Sequence, residues 1–264
     1  MLHARSLLQR QMSFLPRRTC LGRRGDRGAE ALQKHFCSEL CFTDAMRSGR
    51  KLLEISKQSG LYQATSENFQ KDWARTGGDR PYKQVCRVFM IMSDPERLHR
   101  RDQYFAEVNQ KMPSHLLQAG YMVQALQFHG TRRVCFLGDP DAGQDEPCDN
   151  PSCFVCAIVK HSFDVEQPGQ SMSCKDKGMG IFTTFTRSLA IDCAKEVTSE
   201  YTALIVASVV MGQPLILKHS TPIPQEAPEG YDSVVGCPGG ELGLGESLVY
   251  RNEAAHPEFL IICK

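Results

Sequence analysis

The sequence predicts an α+β fold, and three observations carry that prediction. Val85–Met92, Tyr121–His129 and Ala203–Val210 are short apolar runs rich in strand formers, the pattern of buried strands. Only a few stretches, chiefly Pro95–Val108 and Ser188–Glu196, read as helices. Strands and helices do not alternate as they would in a doubly wound sheet, so α+β is expected over α/β.

Composition narrows the class. The 264 residues suit one medium domain with an appendage, and 41% hydrophobic residues are enough for a core. Lys and Arg total 31 against 30 acids, a net charge of +1, which counts against nucleic-acid binding driven by phosphate neutralisation. No apolar run approaches the roughly 20 residues of a membrane span, so no membrane partner is expected. The first apolar stretch is short and broken by Arg, unlike a secretory signal. The 12 cysteines are therefore expected in a reducing, intracellular compartment, where clustered Cys reads as metal binding.

Residues 1–28 hold seven Arg and a single acid, Asp26. That composition fits a mitochondrial presequence or a plain basic tail, and leaves cytoplasm, nucleus and mitochondrion open. Within 20–45, Cys20, His35, Cys37 and Cys41 suggest a degenerate zinc knuckle. Arg23 stands where a Cys-x2-Cys pair needs its second thiol. Residues 46–82 read as a linker. It contains a strand-like run at Lys51–Ile55, a helical face with Phe69 and Trp73, and a turn cluster at Thr76–Pro81 that marks a boundary. The main domain is expected over 83–264.

In that domain, Gln127-Phe128-His129-Gly130-Thr131 closes a buried strand. It presents a ring nitrogen beside a main chain that a flat ligand can approach, because Gly130 has no Cβ. Cys135, Cys148, Cys153 and Cys156 follow as C-x12-C-x4-C-x2-C, with His161 as a substitute ligand. Four thiolates make a closed tetrahedral site, and the loop between them has little apolar content to hold it otherwise, so a structural zinc is expected. Gly178-Met179-Gly180 lacks the spacing of a dinucleotide-binding Gly-x-Gly-x-x-Gly. Ser188 lies near the cap of the following helix. Tyr231–Gly245 is glycine-rich, Glu246 opens a strand, and Pro257–Cys263 is a final strand.

Taken together, residues 83–264 resemble the catalytic domain of the poly(ADP-ribose) polymerase family, in particular fungal members with cysteine-rich inserts. Phe128-His129-Gly130-Thr131 matches the His-Gly motif. Gly180-Ile181-Phe182 with Ser188 matches the Gly-Ile-Tyr block and its Ser. Tyr231-Asp232-Ser233-Val234 precedes Glu246-Ser247-Leu248-Val249-Tyr250, which matches the catalytic-Glu strand. The resemblance implies an ADP-ribosyltransferase-like fold of packed, mostly antiparallel short-stranded sheets. It also implies NAD as substrate, ADP-ribose transfer to a protein acceptor, and release of nicotinamide. His129 is then expected to bond the nicotinamide ribose and Gly130 the carboxamide through its main chain. Ser188 is expected to donate to the carboxamide oxygen, and Phe182 to stack on the ring. Glu246 is expected to hold the 2′-OH and stabilise an oxocarbenium-like cation.

Two residues depart from the family pattern. Phe182 replaces the tyrosine of the family's His-Tyr-Glu triad, keeping the ring and losing the hydroxyl. Cys193 stands at the second stacking tyrosine. The resemblance therefore also admits a weakened or inactive pseudoenzyme that binds NAD or a protein partner.

Overall fold

A run of apolar residues long enough for one strand, with both faces apolar, must be covered on both sides. Thr202–Val210 is such a run, Ala255–Cys263 is one from Phe259 onward, and every residue in both is buried, His256 and Glu258 included. They form the centre of the sheet in the computed structural model, which describes residues 44–45, 47–70, 83–118, 121–167, 180–194, 199–219 and 221–264.

The described strands are β1 (Leu52–Glu54), β2 (Val85–Ile91), β3 (Gln124–Gly130), β4 (Ile181–Thr184), β5 (Thr202–Val210), β6 (Pro214–Ile216), β7 (Ser233–Val235), β8 (Glu246–Val249) and β9 (Ala255–Cys263). They form one nine-stranded sheet in the order β1-β2-β9-β5-β3-β4-β8-β7-β6. All pairings are antiparallel except β6 with β7. The helices among the described residues are α1 (Gly60–Gln70), α2 (Pro95–Lys111), α3 (Ser114–Gln118), α4 (Phe154–His161) and α5 (Arg187–Cys193). The expected α+β class is observed: a mixed, mostly antiparallel sheet with helices on both faces. No described helix is long and apolar enough to cross a membrane.

Alternation along the strands divides the core. Phe128, Phe182, Leu204, Val206, Leu248 and Phe259 join Leu61 and Phe69 of α1 and Ala190 and Cys193 of α5 on one face. Ile181, Ile205, Val209, Val249 and Leu260 join Tyr104 and Val108 of α2 and Val155, Ile158 and Val159 of α4 on the other.

Helix starts follow their local chemistry. Asp94 caps α2, its side chain accepting from the Arg97 N–H at 2.9 Å, with Pro95 at the first turn. Ser59 Oγ accepts from the Tyr62 N–H at 3.1 Å at the start of α1.

The segment expected to be a linker is in part integral to the fold. Leu52–Glu54 pairs with Phe89–Ile91 as the sheet's edge strand, and α1 buries Leu61, Tyr62, Thr65 and Phe69. α1 begins at Gly60, eight residues before the expected start at Asn68, because its polar residues obscure a spaced apolar face. Trp73 and the Thr76–Pro81 turn cluster lie outside the described residues, as do Cys20, His35, Cys37 and Cys41.

Candidate functional site

Of the residues singled out by the resemblance, His129, Gly130, Phe182 and Glu246 lie on adjacent strands, and Ser188 and Cys193 lie in α5. β3, β4 and β8 are consecutive in the sheet. Phe128 pairs with Thr184, and Thr184 with Glu246. Strand spacing of about 4.8 Å puts Glu246 two strands from β3, roughly 10 Å across. Phe182 pairs with Leu248 one step along the same face. Phe182 is buried in the same cluster as Phe128, Ala190 and Cys193.

His129 turns to the opposite face, and its ring bridges the seam between β3 and β4. The β3–β4 register holds one residue pair, Phe128 with Thr184, and beyond it His129 Nδ1 lies 2.8 Å from the Phe182 carbonyl. A carbonyl only accepts, so Nδ1 carries the proton and Nε2 keeps its lone pair. Nε2 is buried and has no hydrogen-bond partner. Burial pushes the imidazole pKa down to about 4, and the bond to Phe182 offsets part of that. His129 is therefore a neutral acceptor at physiological pH.

Phe163 covers His129, with ring centroids 5.1 Å apart and edge-on. The chain reaches this position through Ser162, a non-glycine residue at φ 65°, ψ −175°, whose N–H closes α4 on the Ile158 carbonyl at 2.7 Å. That conformation is sterically costly for a side chain, by about 1–3 kcal/mol.

What comes close to Gly130 is helix α5. A Cβ at Gly130 would lie 1.8 Å from the Ala190 carbonyl oxygen and 2.9 Å from the Ala194 nitrogen. The missing side chain thus admits a helix main chain on this side. The residue that faces Gly130 is Ala190, two positions beyond Ser188, and it carries no hydroxyl. Ser188 is buried in the first turn of α5. Arg187 anchors the same turn, its guanidinium 5.1 Å from the Phe128 ring centroid and bonded to Asn68 Oδ1 at 3.0 Å. Cys193 is buried and disulfide-bonded, a departure from the expectation of uniformly reduced cysteines.

Glu246 is half-buried at the start of β8. Its Oε2 accepts from the Gly243 N–H at 2.5 Å, so the glycine-rich loop holds the carboxylate in place. Thr184 donates from Oγ1 to the Gly245 carbonyl at 3.0 Å, tying β4 to the same loop.

The second constellation is the cysteine cluster. The sulfurs of Cys135, Cys148, Cys153 and Cys156 all lie within 4.8 Å of one another. Cys135 Sγ is 3.7 Å from Cys153 Sγ and 3.5 Å from Cys156 Sγ. A tetrahedron with zinc–sulfur bonds of about 2.3 Å has edges of about 3.8 Å, so the spacing fits a metal. None of these cysteines is in a disulfide. Hydrogen bonds from Cys135 and then Cys156 hold the Cys153 thiol well below its ordinary pKa, whereas sharing protons with Cys135 and Cys153 pushes Cys156 up. Four thiols this close cannot all ionise by themselves; a divalent cation removes that obstacle. The Cys148 N–H points at Cys156 Sγ at 3.3 Å, and Lys160 Nζ clamps the Cys148 carbonyl at 2.6 Å. The four sulfurs form a cluster able to hold a metal ion, and His161, the alternative ligand, faces a different cavity.

The loop carrying these cysteines has a polar core that sequence reading missed. Arg133 is fully buried and donates to Asp139 Oδ1 at 2.6 Å, the Leu137 carbonyl at 2.5 Å and the Tyr201 carbonyl at 2.7 Å. Helix α4 was missed as well, although Val155, Cys156, Ile158 and Val159 carry helical spacing. No family model matches the chain, and no characterised protein sequence matches it.

Proposed function

We propose that the chain is an NAD-dependent ADP-ribosyltransferase of the poly(ADP-ribose) polymerase type, acting on a protein acceptor and releasing nicotinamide. One observation carries the reading. His129, Phe182 and Glu246, on separate segments of the sequence, lie on the consecutive strands β3, β4 and β8 beside the single-pair seam between β3 and β4, with the His129 ring on the face opposite Phe182. The buried lone pair of His129 Nε2 supports it, because that atom matches the hydroxyl of a ribose, which would donate to it. An unpaired buried acceptor costs about 1–3 kcal/mol, which a ligand hydroxyl would offset.

In this reading Gly130 offers main-chain groups to the carboxamide, and Phe182 supplies the aromatic face. Glu246 holds the 2′-OH and stabilises positive charge as the bond from ribose to nicotinamide breaks. The bonding electrons leave with nicotinamide, and an acceptor nucleophile closes on the cation. The cysteine cluster takes a structural zinc that fastens the loop leading into α4.

A second reading, an inactive fold that binds NAD or a protein, is favoured by specific observations. Phe163 covers His129, the α5 main chain rests on Gly130, Ala190 offers no hydroxyl, and Cys193 is tied in a disulfide. Calorimetry with NAD on wild type and Glu246→Gln, paired with nicotinamide release, separates the readings. Transferase activity predicts NAD binding to both proteins within about threefold. It also predicts at least about 100-fold slower nicotinamide release by the variant, the loss of a preorganised electrostatic group. Binding by both without release by either favours the inactive fold. Absence of NAD binding removes both NAD-based readings.

A further inference from the structure

We propose that the cavity between α2, α4 and the turn before β9 binds a small phosphate-bearing molecule at a site separate from the NAD site. The cavity encloses about 540 Å3, within the range of small-ligand sites. Arg97, Arg100 and Arg101 enter it from one face of α2, at spacings that bring their side chains together.

The three arginines differ in how firmly they are held. Arg101 is buried and fixed by Glu258 at 3.0 Å and Asp102 at 2.7 Å, so it forms a rigid part of the floor. Arg97 pairs with Asp94 at 2.9 Å and Arg100 with Glu96 at 2.7 Å, both along the helix surface. Such exposed pairs contribute little and re-form easily. A guanidinium has five N–H donors, so each can engage an anion while keeping a helix contact.

The remaining walls suit a phosphate ester. His256, buried in the floor, is fixed by Ser93 Oγ at 3.0 Å, and His161 stands exposed at the end of α4. Asp164 and Glu253 also line the cavity, and Glu253 is paired with Arg251 at 3.5 Å. Each guanidinium already pairs with a carboxylate, so an anion here takes the N–H donors those pairs leave over, and the planar forks match the tetrahedral oxygens of phosphate. Phe163, Ala157 and Ala255 add an apolar side, and the volume leaves room for an organic group beyond one phosphate.

Phe163 is the wall shared with His129, so independence from NAD must be part of the test. The probe is inorganic pyrophosphate, followed by phosphorus NMR and calorimetry on the full chain at fixed ionic strength. The expected result is saturable binding of one pyrophosphate per chain, unchanged by saturating NAD. Arg97→Gln combined with Arg100→Gln is expected to raise Kd at least tenfold without moving the thermal midpoint. The single reversal Arg100→Glu is expected to act in the same direction. Linear, non-saturating uptake overturns the proposal, as does binding indifferent to these substitutions. Competitive displacement by NAD also overturns it, since the cavity would then belong to the NAD site. None of these outcomes depends on ADP-ribose transfer.

Discussion

At the scale of residues, the geometry converts simple chemical identities into defined states. His129 is held neutral, with Nδ1 committed to the Phe182 carbonyl and Nε2 unpaired. Gly130 is required by contact: any Cβ there collides with the Ala190 carbonyl. Gly130→Ala should destabilise the fold by about 3 kcal/mol or more, because main chain on both sides cannot yield as a flexible side chain would. Chemical denaturation checks this, and a cost under 1 kcal/mol would contradict the packing described. Ser162 makes the opposite case. At φ 65° and ψ −175° it occupies a region suited to glycine. Ser162→Gly should therefore raise stability by about 1 kcal/mol, read as a higher denaturant midpoint.

At the scale of elements, the cysteine loop and α4 form one unit. Cys153 and Cys156 lie at the start of α4, and Phe163 follows two residues after its end. Metal held by the four sulfurs would fix the start of the helix that carries Phe163 to His129. Purified protein should contain one zinc per chain by elemental analysis. Cys153→Ser should abolish retention of the metal, and chelation should lower the thermal midpoint of wild type and leave the variant unmoved. Protein that contains no zinc and ignores chelators would rule the metal centre out. Helix α2 depends on a single cap, and Asp94→Ala should cost about 1 kcal/mol in denaturation.

At the scale of the whole molecule, buried titratable groups set the pH range of stability. The His129 pKa falls from 6.5 to about 4 on folding, so the unfolded chain binds the proton more readily. This stabilisation is present above about pH 6.5 and is lost as pH falls toward 4, about 3 kcal/mol in all. His256, depressed by burial and then by Arg101 and Arg97, acts with the same sign. Burial pushes Glu258 up to about 8 against the pull of Arg101, so its contribution runs the other way, falling as pH rises from 4.5 to about 8. Denaturant midpoints measured from pH 4 to 9 should peak near pH 6.5. Glu258→Gln should flatten the alkaline limb, and a profile flat from pH 4 to 9 would contradict these burials.

Much of the sheet was legible in the sequence because its strands are local apolar runs. Val85–Met92, the run ending at His129, and the final strand all appear within a few residues of their expected bounds. Cys135, Cys148, Cys153 and Cys156 were legible as a set because thiols at close spacing have few other uses, and their sulfurs do cluster. The sequence by itself thus determined the α+β class, the identity of the strand-borne His129 and Glu246, and the set of four cysteines that cluster. Tertiary structure alone decided the rest. Whether residues 46–70 link or pack depends on an edge strand finding β2, a contact across more than 30 residues of chain. The partner of Gly130 depends on where α5 lands, which placed Ala190 there and kept Ser188 in the first turn. The cover over His129 and the arginine-lined cavity arise where α2, α4 and β9 meet. Periodicity reports which face of an element is apolar; only packing selects what that face meets.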